Sequence, residues 1–383
     1  PQTLFNYFKQ LFAQVTNPPV DAIREEIIMA VDTSIGPEGN LLEPTPESAR
    51  QIELASPVLR NEELEKLRNL SGKNGSHGFK SVTLPMLYDV KAGGRGLEAG
   101  IAELRRAASQ AIADGHNIII ISDRGHDHDR APIPSLLAVS AVQHHLLREG
   151  TRTRVGLVVE SGEPREVHHF ALLLGYGASA INPYLAFETI HDMVRQGTLA
   201  GGDADKAEQK YVKAVNKGIV KVCSKMGIST IQSYHGAQVF EAVGLNSPFV
   251  EEYFTWTASR IGGIGIDEVA EEVRRRHERA FPERPLASPT LDSGGQYQYR
   301  KNGEYHLFNP ESIHKLQYAC REGNYSVFKE YSKLIDDQST NLATMRGLMR
   351  LKSDRKPVPI DEFASVETIF KRRRYIPELR DRN

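Results

Sequence analysis

The stretch Ser122-Asp-Arg-Gly-His-Asp-His-Asp-Arg130 brings two histidines and three aspartates together within nine residues. Imidazole and carboxylate groups ligate divalent metals. The stretch also follows Asn117–Ser122, whose four consecutive isoleucines predict a parallel strand buried on both faces. Carboxyl ends of such strands are where α/β folds bind ligands. All of these donors are contiguous, however, and a tight metal site needs donors from a distributed, rigid scaffold. The reading adopted is a solvated loop without a structural metal, its base fixed by pairing of Asp123 with Arg124.

Glu160-Ser-Gly-Glu163 occupies the equivalent place after the next apolar run, Val155–Glu160. A carboxylate there can serve as a general base, but more often it caps a helix or pairs with a neighbour. Ser161 lacks the G-x-S-x-G surroundings of a nucleophile elbow. His144-His145 and His168-His169 fall on predicted helices, where adjacent side chains point apart, so neither pair chelates one ion locally. Gly93-Gly94-Arg95-Gly96 and Gly262-Gly-Ile-Gly265 each precede a predicted helix and have the composition of anion-binding loops. Neither matches a P-loop or a dinucleotide fingerprint, and both are read as turns.

These residues need elements to hold them. Paired prolines at Pro18-Pro19 interrupt the apolar-patterned segment from Leu4 to Ala30. A helix is predicted over Glu62–Leu70 with Asn61 as its cap. Strands are predicted at Phe79–Tyr88, Asn117–Ser122, Val155–Glu160 and Ala178–Asn182. Between them lie helices at Leu97–Ala113, Ser135–Arg148 and Glu166–Leu174. In Leu172–Phe187, Gly175 and Gly177 are expected to take positive φ, Asn182 to cap a helix, and Pro183 to stand at its first position. A long helix is predicted at Ala204–Met226, a strand at Ile228–Gln232, and helices at Gly236–Val243 and Asp267–Arg279. Beyond the proline-rich 282–289, the Asn302-Gly303 pair predicts a β-hairpin between Gln296–Arg300 and Glu304–Phe308. Helices then start at Glu311 and Ser326. The fold class expected is α/β: a mostly parallel sheet with helices on both faces, followed by a smaller α+β segment with a β-hairpin and helices.

The 383 residues carry 48 Lys and Arg against 49 Asp and Glu. That balance gives no electrostatic reason to expect nucleic acid or a membrane surface as partner. Two cysteines, Cys223 and Cys320, suit a reducing compartment and are too few for an iron–sulfur cluster. No apolar run reaches the length of a membrane span, and no secretory leader pattern opens the chain. A soluble intracellular protein is expected.

Several segments together resemble the large chain of glutamate synthase. They are Gln14-Val-Thr-Asn-Pro-Pro19, Ser122-Asp-Arg124 with Ala131-Pro-Ile-Pro-Ser-Leu-Leu137, Val158-Val-Glu-Ser-Gly-Glu163 and Leu172–Phe187. Lys225-Met-Gly-Ile-Ser229 and Ser233–Leu245 belong to the same set. The histidines and aspartates after Arg124 do not look like part of the family pattern. The resemblance implies a glutaminase domain with an N-terminal cysteine nucleophile. It further implies an ammonia tunnel and an FMN-containing (β/α)8 domain that forms glutamate from 2-oxoglutarate. Electrons would arrive through an iron–sulfur cluster from ferredoxin or an NADPH-oxidising small subunit.

On that resemblance, residues 1–285 are expected to be the central domain. Residues 286–383 would be the opening segment of the FMN domain, ending before the flavin site. With Pro1 at the start, the chain is expected to be a fragment that lacks the nucleophile, the flavin loops and the cluster ligands. It would be inert alone, with no cofactor of its own. Its partners would be the glutaminase and FMN domains of the parent chain, in a bacterial cytoplasm or a plastid stroma. The only functional role carried over falls on Thr16 and Asn17, as a loop of the tunnel entrance. The alternative is a stand-alone α/β module that binds a small anion at the carboxyl edge of its sheet.

Overall fold

The computed structural model describes residues 2–12, 18–40, 42–70, 78–199, 201–284, 293–337, 343–349, 352 and 354–373. The chain divides into two compact units, residues 1–285 and 286–383.

In the first unit, a turn of 3-10 helix at Leu4–Tyr7 leads into β1 (Phe8–Gln10). The Asp21 carboxylate accepts from the N–H groups of Ile23 and Arg24 and so starts α1 (Ala22–Ile28). An antiparallel pair, β2 (Thr33–Ile35) and β3 (Ile52–Leu54), precedes α2 (Asn61–Arg68). The alternating part follows: β4 (Ser81–Pro85), β5 (Leu87–Asp89), α3 (Gly93–Ala113), β6 (Ile118–Ser122), β7 (Arg130–Pro132), α4 (Ser135–Arg148), β8 (Gly156–Glu160), α5 (Val167–Gly175), β9 (Ala180–Asn182) and α6 (Tyr184–Arg195). The unit continues through α7 (Ala204–Met226), α8 (Ile231–Tyr234), β10 (Phe240–Leu245), α9 (Ser247–Tyr253), β11 (Ala258–Ile264) and α10 (Ile266–Ala280).

The main sheet is wholly parallel, in the order β4-β6-β8-β9. Each of its strands lies beside the one before it, so right-handed crossovers place α3, α4 and α5 on the same face. The isoleucines of β6 show the two faces. Ile119 and Ile121 join Leu97, Leu136 and Phe170 of those helices in the larger core. Ile118 and Ile120 point the other way and meet Ile35, Leu59, Leu64 and Leu67. Alternation at period two sends successive side chains to opposite faces. Burying one such side chain on either face is worth about 1.5–3 kcal/mol. Helices therefore do cover both faces, but unequally: three long crossover helices on one, α2 and the β2–β3 pair on the other. Residues 57–59 extend the sheet past β9, with Leu59 N–H donating to Ile181 O at 2.8 Å and Ile181 N–H to Pro57 O at 2.7 Å.

Several local expectations are corrected. Ile228–Gln232 is not a strand: Gly227 ends α7 in the left-handed region, and Thr230 accepts from Ser233 N–H to start α8. Gly236–Val243 is not a helix. Gly236 and Gln238 have φ of 68° and 55°, which breaks any helix, and β10 then pairs antiparallel with β1 and parallel with β11. Gly177 takes φ of 107° as expected, whereas Gly175 stays helical. Asn182 is the last residue of β9 rather than a cap, and Pro183 holds the cap position of α6.

In the second unit, α11 (Pro310–Glu322) begins at Asn309, whose side chain accepts from Glu311 and Ser312 N–H. It ends at Gly323 with φ of 62°. α12 (Tyr325–Asp336) is capped by Asn324 in the same way, and α13 (Val366–Arg373) comes last. The Asn302-Gly303 turn is present: Asn302 has φ of 61°, and Gly303 N–H donates to Arg300 O at 3.0 Å. Its flanks are not strands, however, because Glu304 N–H bonds back to Gly294 O instead of continuing a ladder. A two-stranded hairpin with no apolar face to cover is marginal in water.

Candidate functional site

Parallel register brings Ser122, Glu160 and Asn182 side by side at the carboxyl edge of the sheet, as Cα partners across β6, β8 and β9. This is the place the sequence singles out, and nearly every polar group there is spent on the protein itself. The Glu160 carboxylate is buried and accepts from Ser122 Oγ, from Arg124 Nε at 2.8 Å and from Arg68 Nη2. Arg124 also reaches Glu188 at 3.1 Å and lies 3.8 Å over the Tyr184 ring. Removing one partner of a buried ion pair is costly, and that is sufficient reason for these types at these positions. Glu163 closes the first turn of α4, accepting from Ser135 N–H at 2.7 Å and Ser135 Oγ at 2.8 Å. Arg276 meets its other oxygen at 3.3 Å. Asn182 donates to Leu59 O and Asn61 Oδ1, both at 2.9 Å, and so ties α2 to the sheet.

Asp123 does not pair with Arg124. Its Oδ2 accepts from Ser161 Oγ at 2.6 Å and Gly162 N–H at 2.9 Å, linking the turns after β6 and β8. Burial raises its pKa above the ordinary carboxylate value and outweighs the hydrogen bonds that favour the charged form. Its Oδ1 is buried without a hydrogen-bond partner.

The rest of the acidic, histidine-rich loop is braced group by group. Asp127 holds Arg130 at 2.8 Å, which keeps its pKa down to about 2, and Asp129 holds Lys91 at 2.6 Å. His126 Nδ1 lies 3.0 Å from Asp123 O. The helical histidines are likewise separate. His145 meets Ser109 Oγ at 2.8 Å, His168 meets Phe8 O at 3.1 Å, and His169 stacks on Phe5 with ring centroids 4.2 Å apart.

The glycine-rich helix starts are filled from within the chain. A Cβ on Gly94 would collide with Asp267 Oδ1, so that carboxylate sits against the first turn of α3. Glu268 accepts from Gly265 N–H at 2.8 Å at the start of α10. Gly262 and Gly263 lie inside β11, not in a loop, and Gly263 packs on the backbone of Gly244. An incoming phosphate would have to displace a carboxylate at either helix start.

One cluster carries no signal in the sequence. His191, Asp205 and Glu208 bring ligand atoms within 4.8 Å of one another. Arg60 already supplies their positive charge, with Nε 2.8 Å from Glu208 Oε1 and Nη2 3.5 Å from Asp205. These groups come from α6, α7 and the chain before α2, and no local spacing announces them. Thr16 and Asn17 lie outside the described residues.

A match to known proteins accompanies this geometry. The family model described as "Glutamate synthase central domain" matches residues 1–246. The chain belongs to the glutamate synthase central-domain family. The NADPH-type glutamate synthase large chain of Bacillus subtilis is 46% identical over 371 residues, covering 97% of this chain and 24% of that protein. The ferredoxin-dependent glutamate synthase of Pyropia yezoensis is 39% identical over 380 residues, covering 96% of this chain and 24% of that protein. The chain thus spans about a quarter of the length of these relatives. Among solved structures, an inosine 5'-monophosphate dehydrogenase from Legionella pneumophila overlaps 63% of this chain and 98% of its own. The identity is 11% and the TM-score 0.35, too slight a likeness to bear on function.

Glutamate synthases are FMN and iron–sulfur enzymes. Among the described residues, the thiols and helix starts of this chain do not fit either group. Its two thiols lie in different units, with Cys223 buried and its pKa pushed up to about 12 while Cys320 is exposed. A cluster needs more thiolates than that. The two helix starts suited to a flavin phosphate already hold Asp267 and Glu268. Among the described residues, no helix is long and apolar enough to cross a membrane.

Proposed function

We propose that this chain is the connecting portion of a glutamate synthase and carries out no reaction of its own. Residues 1–285 act as the central domain between a glutaminase domain and an FMN domain. The loop at Thr16 and Asn17 contributes to the ammonia path, and residues 286–383 open the FMN domain. In the parent enzyme, glutamine and 2-oxoglutarate yield glutamate, with electrons from ferredoxin or an NADPH-oxidising small subunit. FMN and the iron–sulfur cluster belong to other parts of that enzyme, in a bacterial cytoplasm or a plastid stroma. The family match names the parent. The observation that supports the connecting role is the carboxyl edge of the sheet, where the Glu160 and Glu163 carboxylates are committed to internal pairs and caps. A general base needs a free, reachable proton site, and these groups offer none.

The test uses the full-length parent enzyme. Thr16→Val and Thr16→Tyr are expected to leave glutamine hydrolysis and flavin reduction individually measurable while raising the ratio of hydrolysis to glutamate formation. An unchanged ratio in both variants would reduce the loop to a connector. Turnover of glutamine or 2-oxoglutarate by the 383-residue chain alone, above a buffer control, would overturn the proposal that it is inert.

A further inference from the structure

The chain's single tryptophan stands where neither packing nor backbone geometry favours it. Trp256 is 83% exposed, and its φ of 68° falls at the third position of a turn in which Thr257 N–H donates to Phe254 O at 2.9 Å. A positive φ there suits glycine or asparagine, and a β-carbon is strained by it. Three described residues other than glycine have positive φ, and two of them, Trp256 and Gln238, line the same cavity. Strain of this kind gathers at ligand sites. The cavity, of about 360 Å3, lies between the end of α4, the end of α5, the chain before β10 and the turn before β11. Its wall is aromatic. The Tyr176 and Phe240 rings stack with centroids 6.1 Å apart, and Leu147, Gly175 and Gly236 lie beside them.

The polar lining includes no carboxylate, and most of it is committed. Gln143 Oε1 accepts from Arg152, Tyr176 OH lies 2.6 Å from Thr257 Oγ1, and Thr255 Oγ1 donates to Glu251 O at 3.1 Å. Burial holds the His144 ring neutral, with its pKa lowered to about 4, and Gln238 adds an uncharged amide. The one charge on the lining is therefore Arg148. Its Nη2 donates to Glu252 O at 3.2 Å and to Thr255 Oγ1 at 2.9 Å, and among the described residues no carboxylate pairs with it. The Glu252 carboxylate is taken by Arg105 at 2.6 Å. We infer that this cavity binds a small aromatic carboxylate, with its ring against Tyr176, Phe240 and Trp256 and its carboxylate on Arg148. Ligand cavities run from about 300 to 1,000 Å3, so the body of the occupant is small. The planar guanidinium fork matches a carboxylate. A cation would meet Arg148 with no acid to offset it, and a bare inorganic anion would leave the aromatic wall unused. A ring packed on the indole gives a reason for tryptophan at a position that suits glycine. This site is independent of the connecting role.

The test is titration of the 383-residue chain with phenylacetate, its uncharged isostere phenylacetamide, and acetate. Binding is followed by calorimetry and by the emission of Trp256, the only indole present. Phenylacetate is expected to change that emission saturably and to bind in the millimolar range. Phenylacetamide should bind about tenfold more weakly, and acetate should not saturate. Arg148→Gln should abolish the preference for phenylacetate over phenylacetamide. Trp256→Gly relieves the turn, so its melting temperature should be no lower than that of the parent chain. Its calorimetric affinity for phenylacetate should nevertheless fall about tenfold. This second variant keeps the test decisive even if Arg148→Gln, which also loses the bonds to Glu252 and Thr255, fails to fold. The proposal is overturned if phenylacetate gives no saturable change or if phenylacetamide binds as tightly. It is equally overturned if Trp256→Gly lowers the melting temperature or leaves the affinity for phenylacetate unchanged.

Discussion

The two units of this chain put their apolar side chains to opposite use. In residues 1–285 most of the large apolar groups face inward: Phe8, Phe170, Phe187, Tyr234 and Phe254 are all fully buried, although Trp256, Ile23 and Ile27 stand exposed. In residues 286–383, Ser312 and Ala319 are the only described residues that are buried. Phe308, Tyr325 and Phe328 stand exposed there, on or beside helices with well-formed caps, and Ile360 and Phe363 are exposed at a 3-10 turn. Local signals can therefore build a helix without giving it a core. Caps and propensity are worth about 1 kcal/mol each, while the entropy of ordering the chain costs about 1–2 kcal/mol per residue. Only burial on the scale of the first unit overcomes that.

The sharpest way to break this comparison is to separate the units. Residues 1–285 alone should retain a cooperative thermal transition, because the sheet, its crossover helices and both cores lie within them. Residues 286–383 alone should show weak helical circular dichroism that declines without a transition, as isolated short helices do. A cooperative melt of the second piece would show that it has a core of its own and would remove the contrast.

Much of this architecture is legible in the amino-acid sequence, and the reasons differ from element to element. The isoleucine run at 118–121 announces β6, since four β-branched residues in a row suit only a strand covered on both faces. The helices expected at Ser135–Arg148 and Ala204–Met226 are α4 and α7 at their observed bounds. β10 reads as helix because Glu241, Ala242 and their neighbours favour helices. Pairing with β1 and β11, more than 200 and 17–19 residues away, decides otherwise. β11 is hidden because its glycines look like a loop until Gly263 is seen pressed onto Gly244. At the carboxyl edge the sequence points to the right residues but suggests the wrong pair, Asp123 with Arg124. The true partners, Ser161 for Asp123 and Glu160 for Arg124, come from the neighbouring strand. Only the sheet register reveals them.

Acid should separate the units next, with a smaller effect. His144, His169 and His235 in the first unit have pKa values lowered to about 4, in each case chiefly by burial. The folded state holds them neutral, while the unfolded chain takes up protons near the ordinary value of about 6.5. Their contribution is thus intact above pH 6.5 and is lost as pH falls from there towards 4. For the buried His169 alone the loss reaches about 3 kcal/mol. Melting of residues 1–285 followed from pH 7 to pH 4.5 should show a steady fall in midpoint, made shallower by His169→Asn. A midpoint independent of pH over that range would mean that these rings are not held neutral by the fold.

The most direct comparison is one aromatic deletion in each unit, and the smallest expected effect is the one in the second. Phe170 on α5 is wholly buried between the parallel sheet and its neighbours, and Phe170→Ala removes a ring from a close-packed site. Such deletions cost about 3–5 kcal/mol, part transfer and part cavity. Phe328 on α12 is 40% exposed and touches Tyr325 and Tyr331 at centroid distances of 6.1 and 6.2 Å. Its ring loses little when replaced, because water already covers much of it, so Phe328→Ala should lie within about 0.5 kcal/mol of the parent chain. Chemical denaturation of the 383-residue chain, with near-ultraviolet signals from each unit, measures both changes in one experiment. If Phe328→Ala cost as much as Phe170→Ala, the ring would be buried against something in solution, and the second unit could not be the uncovered half of this pair. If it cost nothing here but destabilised the full-length parent, the face around Phe328 would be one that the rest of that chain covers.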